Sequence, residues 1–312
     1  MLETPTLLAD IGATNARLAY TLDGVNLLHS KVLKTTDFNS LETLLKEYLD
    51  KVNNDPLITK AVIGVAAPIF SDQVQFVNNN FIFSKDELKN NLFPEGLCLV
   101  NDLALQAEVI NYLSSDEITT IGGSKDNNLG SKILINPGTG LGVAGIIGKH
   151  IIPTEAGHLN IPAKIKKEGL DDMIDGFKEK ELRMPTFEDF LSGKGIKFFY
   201  SFLSNRPDCS LTSEDILKNN SNDIYASKTK DLFIYLFAAY LRYVSLVWGA
   251  LGGVYVAGSI VDSLMHDLDM KQFRSIFEDS ETMKSLLVLT PIYHLKTKDL
   301  GLKGALLVSQ RI

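Results

Sequence analysis

Apolar positions come in short runs at the start of the chain and recur at helical spacing further on. Runs at 7–10, 17–22 and 27–33 have the length of strands. Residues 41–52 carry leucines and a valine at helical spacing behind Asn39 and Ser40, two residue types that cap helices. Residues 61–65 form an apolar strand bounded by Pro68, with residues 74–77 expected to pair beside it. Ser84-Lys85-Asp86-Glu87 has the spacing of a capping box. Residues 97–100 predict a short buried strand that stops at Asn101-Asp102, ahead of a helix over 104–113. Further strands are predicted at 133–136, 142–147 and 151–153. The later part reads as helical, including about 20 residues from 228 towards 249. A strand at 254–257 and a last helix over 301–310, which returns to the first domain, complete the chain. No fixed-period repeat is visible. This order predicts an α/β protein with mixed sheets flanked by helices, in a small domain of residues 1–104 plus 299–312 and a large one of residues 105–298.

Composition narrows the class of partner. The chain has 312 residues, 45% hydrophobic and 22% charged, enough for two domains sharing a cleft. A net charge of −7 without Lys/Arg runs argues against nucleic acid, which needs a basic face to release counterions, so a small molecule is expected. Only Cys98 and Cys209 occur, too few for a disulfide framework, which predicts reduced thiols in the cytoplasm. Residues 1–5 lack the positive start of a secretory signal. Residues 232–256 are apolar enough to raise a transmembrane span. They contain Arg242, Gly249, Gly252 and Gly253, which predicts a buried helix turning into a strand and no membrane partner.

The chemistry is concentrated in turns. Leu-Leu-Ala-Asp-Ile-Gly-Ala-Thr-Asn-Ala-Arg-Leu at 7–18 is a strand ending in Asp10, a tight turn and a returning strand. Gly12 and Ala13 bring backbone N–H groups close to a ligand, Thr14 and Asn15 add neutral donors, and Arg17 adds positive charge. Asp10 can meet a hard cation through water. Together these suit a nucleoside triphosphate with magnesium. Asn136-Pro137-Gly138-Thr139-Gly140-Leu141-Gly142 reads as a second phosphate hairpin, in which Gly138 and Gly140 let the backbone bend and Thr139 supplies a hydroxyl; neither a Walker loop nor a dinucleotide fingerprint is present. Asn101 and Asp102 end a strand, where a carboxylate can take a proton from a substrate hydroxyl and the amide can orient it. Asp102 also fits as the N-cap of a helix over 103–113, and the two roles are compatible. Thr154-Glu155-Ala156-Gly157-His158 sets a carboxylate and an imidazole on one turn, and Glu188 follows. Such groups suit polyol recognition, since each bridges adjacent hydroxyls, whereas a metal site would need a further ligand that the spacing does not offer.

With these residues in hand, the chain resembles the bacterial glucokinases of the hexokinase, actin and Hsp70 ATPase superfamily over nearly its whole length. The resemblance rests on residues 10–17, Asn101-Asp102, Gly138-Thr139-Gly140-Leu141-Gly142, Glu155-Ala156-Gly157-His158, Glu188, Gly252-Gly253-Val254-Tyr255-Val256-Ala257-Gly258 and Gly301-Leu302-Lys303-Gly304-Ala305. It implies a ribonuclease H-like (actin-like ATPase) fold of two domains with a central cleft, usually in a homodimer. It implies transfer of the γ-phosphoryl of MgATP to the 6-hydroxyl of D-glucose, with Asp102 as base. Asn101, Glu155, His158 and Glu188 would grip the sugar, the two hairpins and Gly258 the nucleotide, and Asp10 would place magnesium through water. Four positions depart from the family pattern: Ala13, Thr154, Ala156 and Ser259. An alanine held at positive φ would cost about 1–2 kcal/mol. These departures leave room for another hexose as acceptor, and a sugar sensor that keeps the same pocket is the alternative from another class. The zinc site of a related sugar-kinase and repressor branch cannot form with only Cys98 and Cys209.

Overall fold

A computed structural model describes residues 4–52, 57–77, 79–124, 130–162, 167–206, 210–218 and 222–312. Cys209 lies outside them. Contacts divide the chain into Met1–Leu113 with Thr297–Ile312, and Ser114–Lys296.

The first unit holds β1 (Thr6–Ile11), β2 (Asn15–Thr21), β3 (Leu28–Lys34), β4 (Lys60–Val65), β5 (Gln73–Gln75), β6 (Ile82–Ser84) and β7 (Gly96–Asn101). Its sheet runs β3-β2-β1-β4-β7, antiparallel through the first three strands and parallel from β1 through β4 to β7. β1 is buried on both faces, so it reads as a continuous apolar run rather than an alternating one. Leu7, Ala9 and Ile11 pack with the helix Leu41–Val52, whose bounds match the predicted 41–52. Leu8 faces the other way, onto Leu302, Ala305 and Val308 of the helix Leu300–Ser309. Alternation therefore turns Asp10 towards that closing helix.

Two expectations are corrected. Residues 74–77 form no ladder with β4, although the Val77 N–H reaches the Ala66 carbonyl just past its end at 3.4 Å; β5 joins β6 in a separate hairpin, closed by the Phe81 N–H donating to the Asn79 side chain at 2.9 Å and by edge-on packing of Phe76 and Phe81. The helix after β7 is α-helical only over Asp102–Ala107, then tightens to a 3₁₀ turn over Glu108–Tyr112.

The second unit holds β8 (Ile118–Gly122), β9 (Lys132–Pro137), β10 (Leu141–Ile147), β11 (His150–Thr154), β12 (Gly253–Val256) and β13 (Ile292–Leu295), in the order β11-β10-β9-β12-β13-β8. Here too an antiparallel three-strand meander continues into two parallel strands, with β8 added antiparallel at the edge. β8 and β13 were not among the predicted strands. The helix Ile224–Trp248 is long and apolar enough, by length and composition, to cross a membrane. In this unit it supplies Phe233, Leu236, Phe237 and Leu241 to the core and ends at Gly249 in the left-handed conformation.

Candidate active site

In the first unit the sequence-predicted residues gather at one edge of the sheet. Parallel register aligns Ile11, Val65 and Asn101 across β1, β4 and β7. Two strand spacings, roughly 10 Å, therefore separate the end of β1 from the end of β7. The turn after β1 is closed by the Gly12 N–H on the Asn15 carbonyl at 3.0 Å, and Thr14 and Asn15 are exposed at its tip. Among the described non-glycine residues only His29, Leu182, Asn205 and Asp299 have positive φ, so Ala13 carries none of the strain its position could have imposed. Thr35, which sequence reasoning missed, backs this turn: its hydroxyl donates to the Ala13 carbonyl at 2.6 Å and its N–H to the Thr14 carbonyl at 3.0 Å.

Asp10 is 5% exposed, with Arg17 Nη1 4.0 Å from its Oδ2. Arg17 is shared with Asp299, whose Oδ1 lies 3.5 Å from its Nε. Burial raises the Asp10 pKa from 3.8 to about 6, Arg17 opposes that shift, and Asp299 adds to it. Gly301 makes room for this carboxylate, since any Cβ there would collide with it. At the end of β7, Asn101 rather than Asp102 caps the helix, accepting the Leu103 and Ala104 N–H groups at 3.1 Å each. Asp102 is the first helical residue, and its Oδ1 accepts the Leu103 N–H at 2.9 Å. Gly64 and Gly304, with no Cβ to strike Leu105, let this helix sit close to β4 and to the closing helix.

The second unit brings the remaining predicted residues to a corresponding edge. The turn between β9 and β10 is closed by the Gly138 N–H on the Gly140 carbonyl at 2.7 Å. β12 delivers Gly258 beside Asn136, with φ of 100° and no space for a Cβ, and the helix Ser259–Met265 starts there with Ser259 exposed. β11 pairs Thr154 with Val143, and the Thr154 hydroxyl donates to the Val143 carbonyl at 3.0 Å. Gly157 then packs on the Leu141 carbonyl, where a Cβ would collide. His158 Nε2 is 3.7 Å from Glu155 Oε2. The Glu155 pKa is raised chiefly by partial burial, lowered by His158 and raised again by Glu188, so the three groups share one neighbourhood. Glu188 is in the first turn of the helix Phe187–Phe190, as a helix-start acid would be, but it also accepts the Leu141 N–H at 2.9 Å. Asp299 and Gly193 complete the residues that spacing did not single out. Their signal is three-dimensional: Asp299 meets Arg17 from the far end of the chain, and the Gly193 N–H donates to Gly138.

The Glucokinase family model matches residues 7–312. The glucokinase of Campylobacter jejuni subsp. doylei is 32% identical, over 96% of this chain and 92% of that protein. The solved glucokinase of an Antarctic psychrotroph is 25% identical with a TM-score of 0.78, covering 100% of both chains. That of Balamuthia mandrillaris, in complex with glucose, has the same fold with a TM-score of 0.85 at 21% identity, covering 98% of this chain and 94% of its own. A family match that runs from β1 to the closing helix takes in every element described above, and the chain belongs to the glucokinase family.

Proposed function

We propose that this ATP-dependent sugar kinase transfers the γ-phosphoryl of MgATP to the 6-hydroxyl of D-glucose, with Asp102 as the base. The observation that carries the assignment is the placing of Asp102 at the end of β7, on the same sheet edge as the turn at 12–15. Its carboxylate accepts the 6-hydroxyl proton as O6 bonds to the γ-phosphorus. The bond from that phosphorus to the β-phosphate oxygen breaks, and ADP leaves. Such a transfer depends on alignment and charge neutralisation more than on covalent help from the protein. Asn101 orients the acceptor, and Glu155, His158 and Glu188 hold the other hydroxyls. The backbone of residues 12–15 and 138–140, with Gly258, receives the nucleotide. Asp10 fits a magnesium ion reached through water, because among the described residues the cation beside its buried carboxylate is the Arg17 guanidinium, 4.0 Å away and shared with Asp299. Magnesium, when bound, would supply positive charge to the phosphates. The family resemblance supports a cytoplasmic homodimer that commits glucose to glycolysis.

Asp102→Ala is expected to lower kcat at least about 10²-fold with an unchanged circular-dichroism spectrum, the usual loss for a removed general base. Near-normal turnover in that variant would end the assignment. ADP release compared among glucose, mannose, fructose and N-acetylglucosamine tests the acceptor. The largest kcat/KM belongs to glucose, and a larger one for another sugar would reassign the substrate.

A further inference from the structure

Glu188 is tied into the second hairpin as firmly as into its own helix. Its Oε2 accepts the Leu141 N–H at 2.9 Å, a bond spanning 47 residues of chain. The carbonyl of the same Leu141 residue lies against Gly157, and the Gly193 N–H holds the Gly138 carbonyl at 2.9 Å. The turn at 138–141 is thus gripped at both ends by the segments that carry Glu155, His158 and Glu188. The helix bearing Glu188 is itself fixed. Asp189 accepts the Thr186 N–H and hydroxyl at 2.7 and 2.8 Å, and takes a two-pronged pair from Arg183 at 2.7 and 2.8 Å.

We propose that Glu188 is a positioning residue for the hairpin at 138–141, so that occupation of the sugar site and of the nucleotide site are linked through the Leu141 amide. The inference rests on the reading of those two sites given above. One carboxylate oxygen is committed to the backbone and leaves Oε1 to a sugar hydroxyl. A sugar held at Oε1 immobilises the carboxylate and with it the hairpin. Linkage is reciprocal, so a nucleotide that orders the hairpin also orders Glu188 for the sugar.

Three variants separate the amide anchor from the charge. Glu188→Gln keeps an oxygen that can accept the Leu141 N–H and loses the charge; Glu188→Asp keeps the charge and falls short of the amide; Glu188→Ala loses both. The readouts are calorimetric binding of MgAMPPNP without sugar, the same with saturating glucose, and the glucose KM. Sugar-free MgAMPPNP affinity is expected to fall at least about fivefold in Glu188→Ala and Glu188→Asp and less than about twofold in Glu188→Gln. Glucose is expected to tighten MgAMPPNP binding in the native protein and to lose that effect in Glu188→Ala. Native affinity and native glucose enhancement in Glu188→Asp overturn the proposal even if Glu188→Ala does not fold. So does a fall in Glu188→Gln that Glu188→Asp does not share, since charge rather than the anchor would then matter. A raised glucose KM with unchanged nucleotide binding overturns the positioning role while leaving the sugar site in place. Weakened nucleotide binding with an unchanged glucose KM overturns the linkage, since Glu188 would then anchor the hairpin without touching the sugar.

Discussion

The chain builds one corner twice and equips it in two different ways. β3-β2-β1-β4-β7 and β11-β10-β9-β12-β13 share an antiparallel meander followed by two parallel strands, and in each the first hairpin of the meander presents a glycine turn. The first turn is flanked by Asp10 and Arg17, with Asp299 behind them. The second, from Asn136 to Gly142, contains no charged residue and is held by the Glu188 carboxylate and the Gly193 N–H. One corner therefore gathers charge and the other is fastened by hydrogen bonds.

The charged corner breaks most easily at Asp10. Asp10→Asn keeps the size of the side chain and is expected to cut turnover about 10²–10³-fold, the usual loss when one electrostatic contact to the reacting charge is removed. Retention of more than a tenth of native turnover would show that this corner works without its carboxylate. The same variant should be the more stable protein at high pH. The folded-state pKa of Asp10 is about 6 against an ordinary 3.8, so its contribution to stability is fully present below about pH 4 and is lost as the pH rises through 6. A shift of this size corresponds to about 3 kcal/mol. Urea midpoints of native and Asp10→Asn protein should therefore coincide near pH 4 and separate near pH 8, with the variant higher. A pH-independent difference would mean that the carboxylate is not strained by burial.

Glycine substitutions sharpen the contrast between the corners. A Cβ at Gly301 collides with the Asp10 carboxylate, and that residue is buried in the first turn of the closing helix. Gly301→Ala is expected to cost about 1–3 kcal/mol by overpacking. A Cβ at Gly138 meets nothing within 4 Å, and its φ is not positive. Gly138→Ala should therefore unfold within about 0.5 kcal/mol of the native protein, as open-site substitutions do, and show its effect in nucleotide binding instead. Equal stability losses in denaturant titrations would erase the distinction between the packed position at Gly301 and the open one at Gly138.

How legible each corner was follows from where its anchors lie. Asp10 stood out as a lone carboxylate at the end of an apolar run, and the glycine turns and the helix over 41–52 were readable from local pattern. The partners that set the chemistry are distant in sequence. Asp299 reaches Arg17, Gly193 reaches Gly138, and Glu188 reaches Leu141, so no spacing rule could pair them. β8 and β13 pair with each other across most of the second unit, which hides both from local reading. At Asn101-Asp102 two residues of equal capping propensity stood side by side, and only the backbone decides that Asn101 is the cap.

The smallest expected effect lies beneath the neutral corner. Tyr240 is fully buried, its ring packs 4.6 Å from that of Phe187, and its hydroxyl has no hydrogen-bond partner among the described residues. Its pKa is raised first by burial and then by the charge of neighbouring Glu188. A buried hydroxyl without a partner costs about 1–3 kcal/mol, while the small void left by removing it returns part of that loss. Tyr240→Phe is therefore expected to raise stability by about 1 kcal/mol, read as a higher urea midpoint at an unchanged slope. If the variant is instead destabilised by a similar amount, the hydroxyl contributes to the support of Glu188, and the second corner owes part of its rigidity to a polar contact rather than to packing alone.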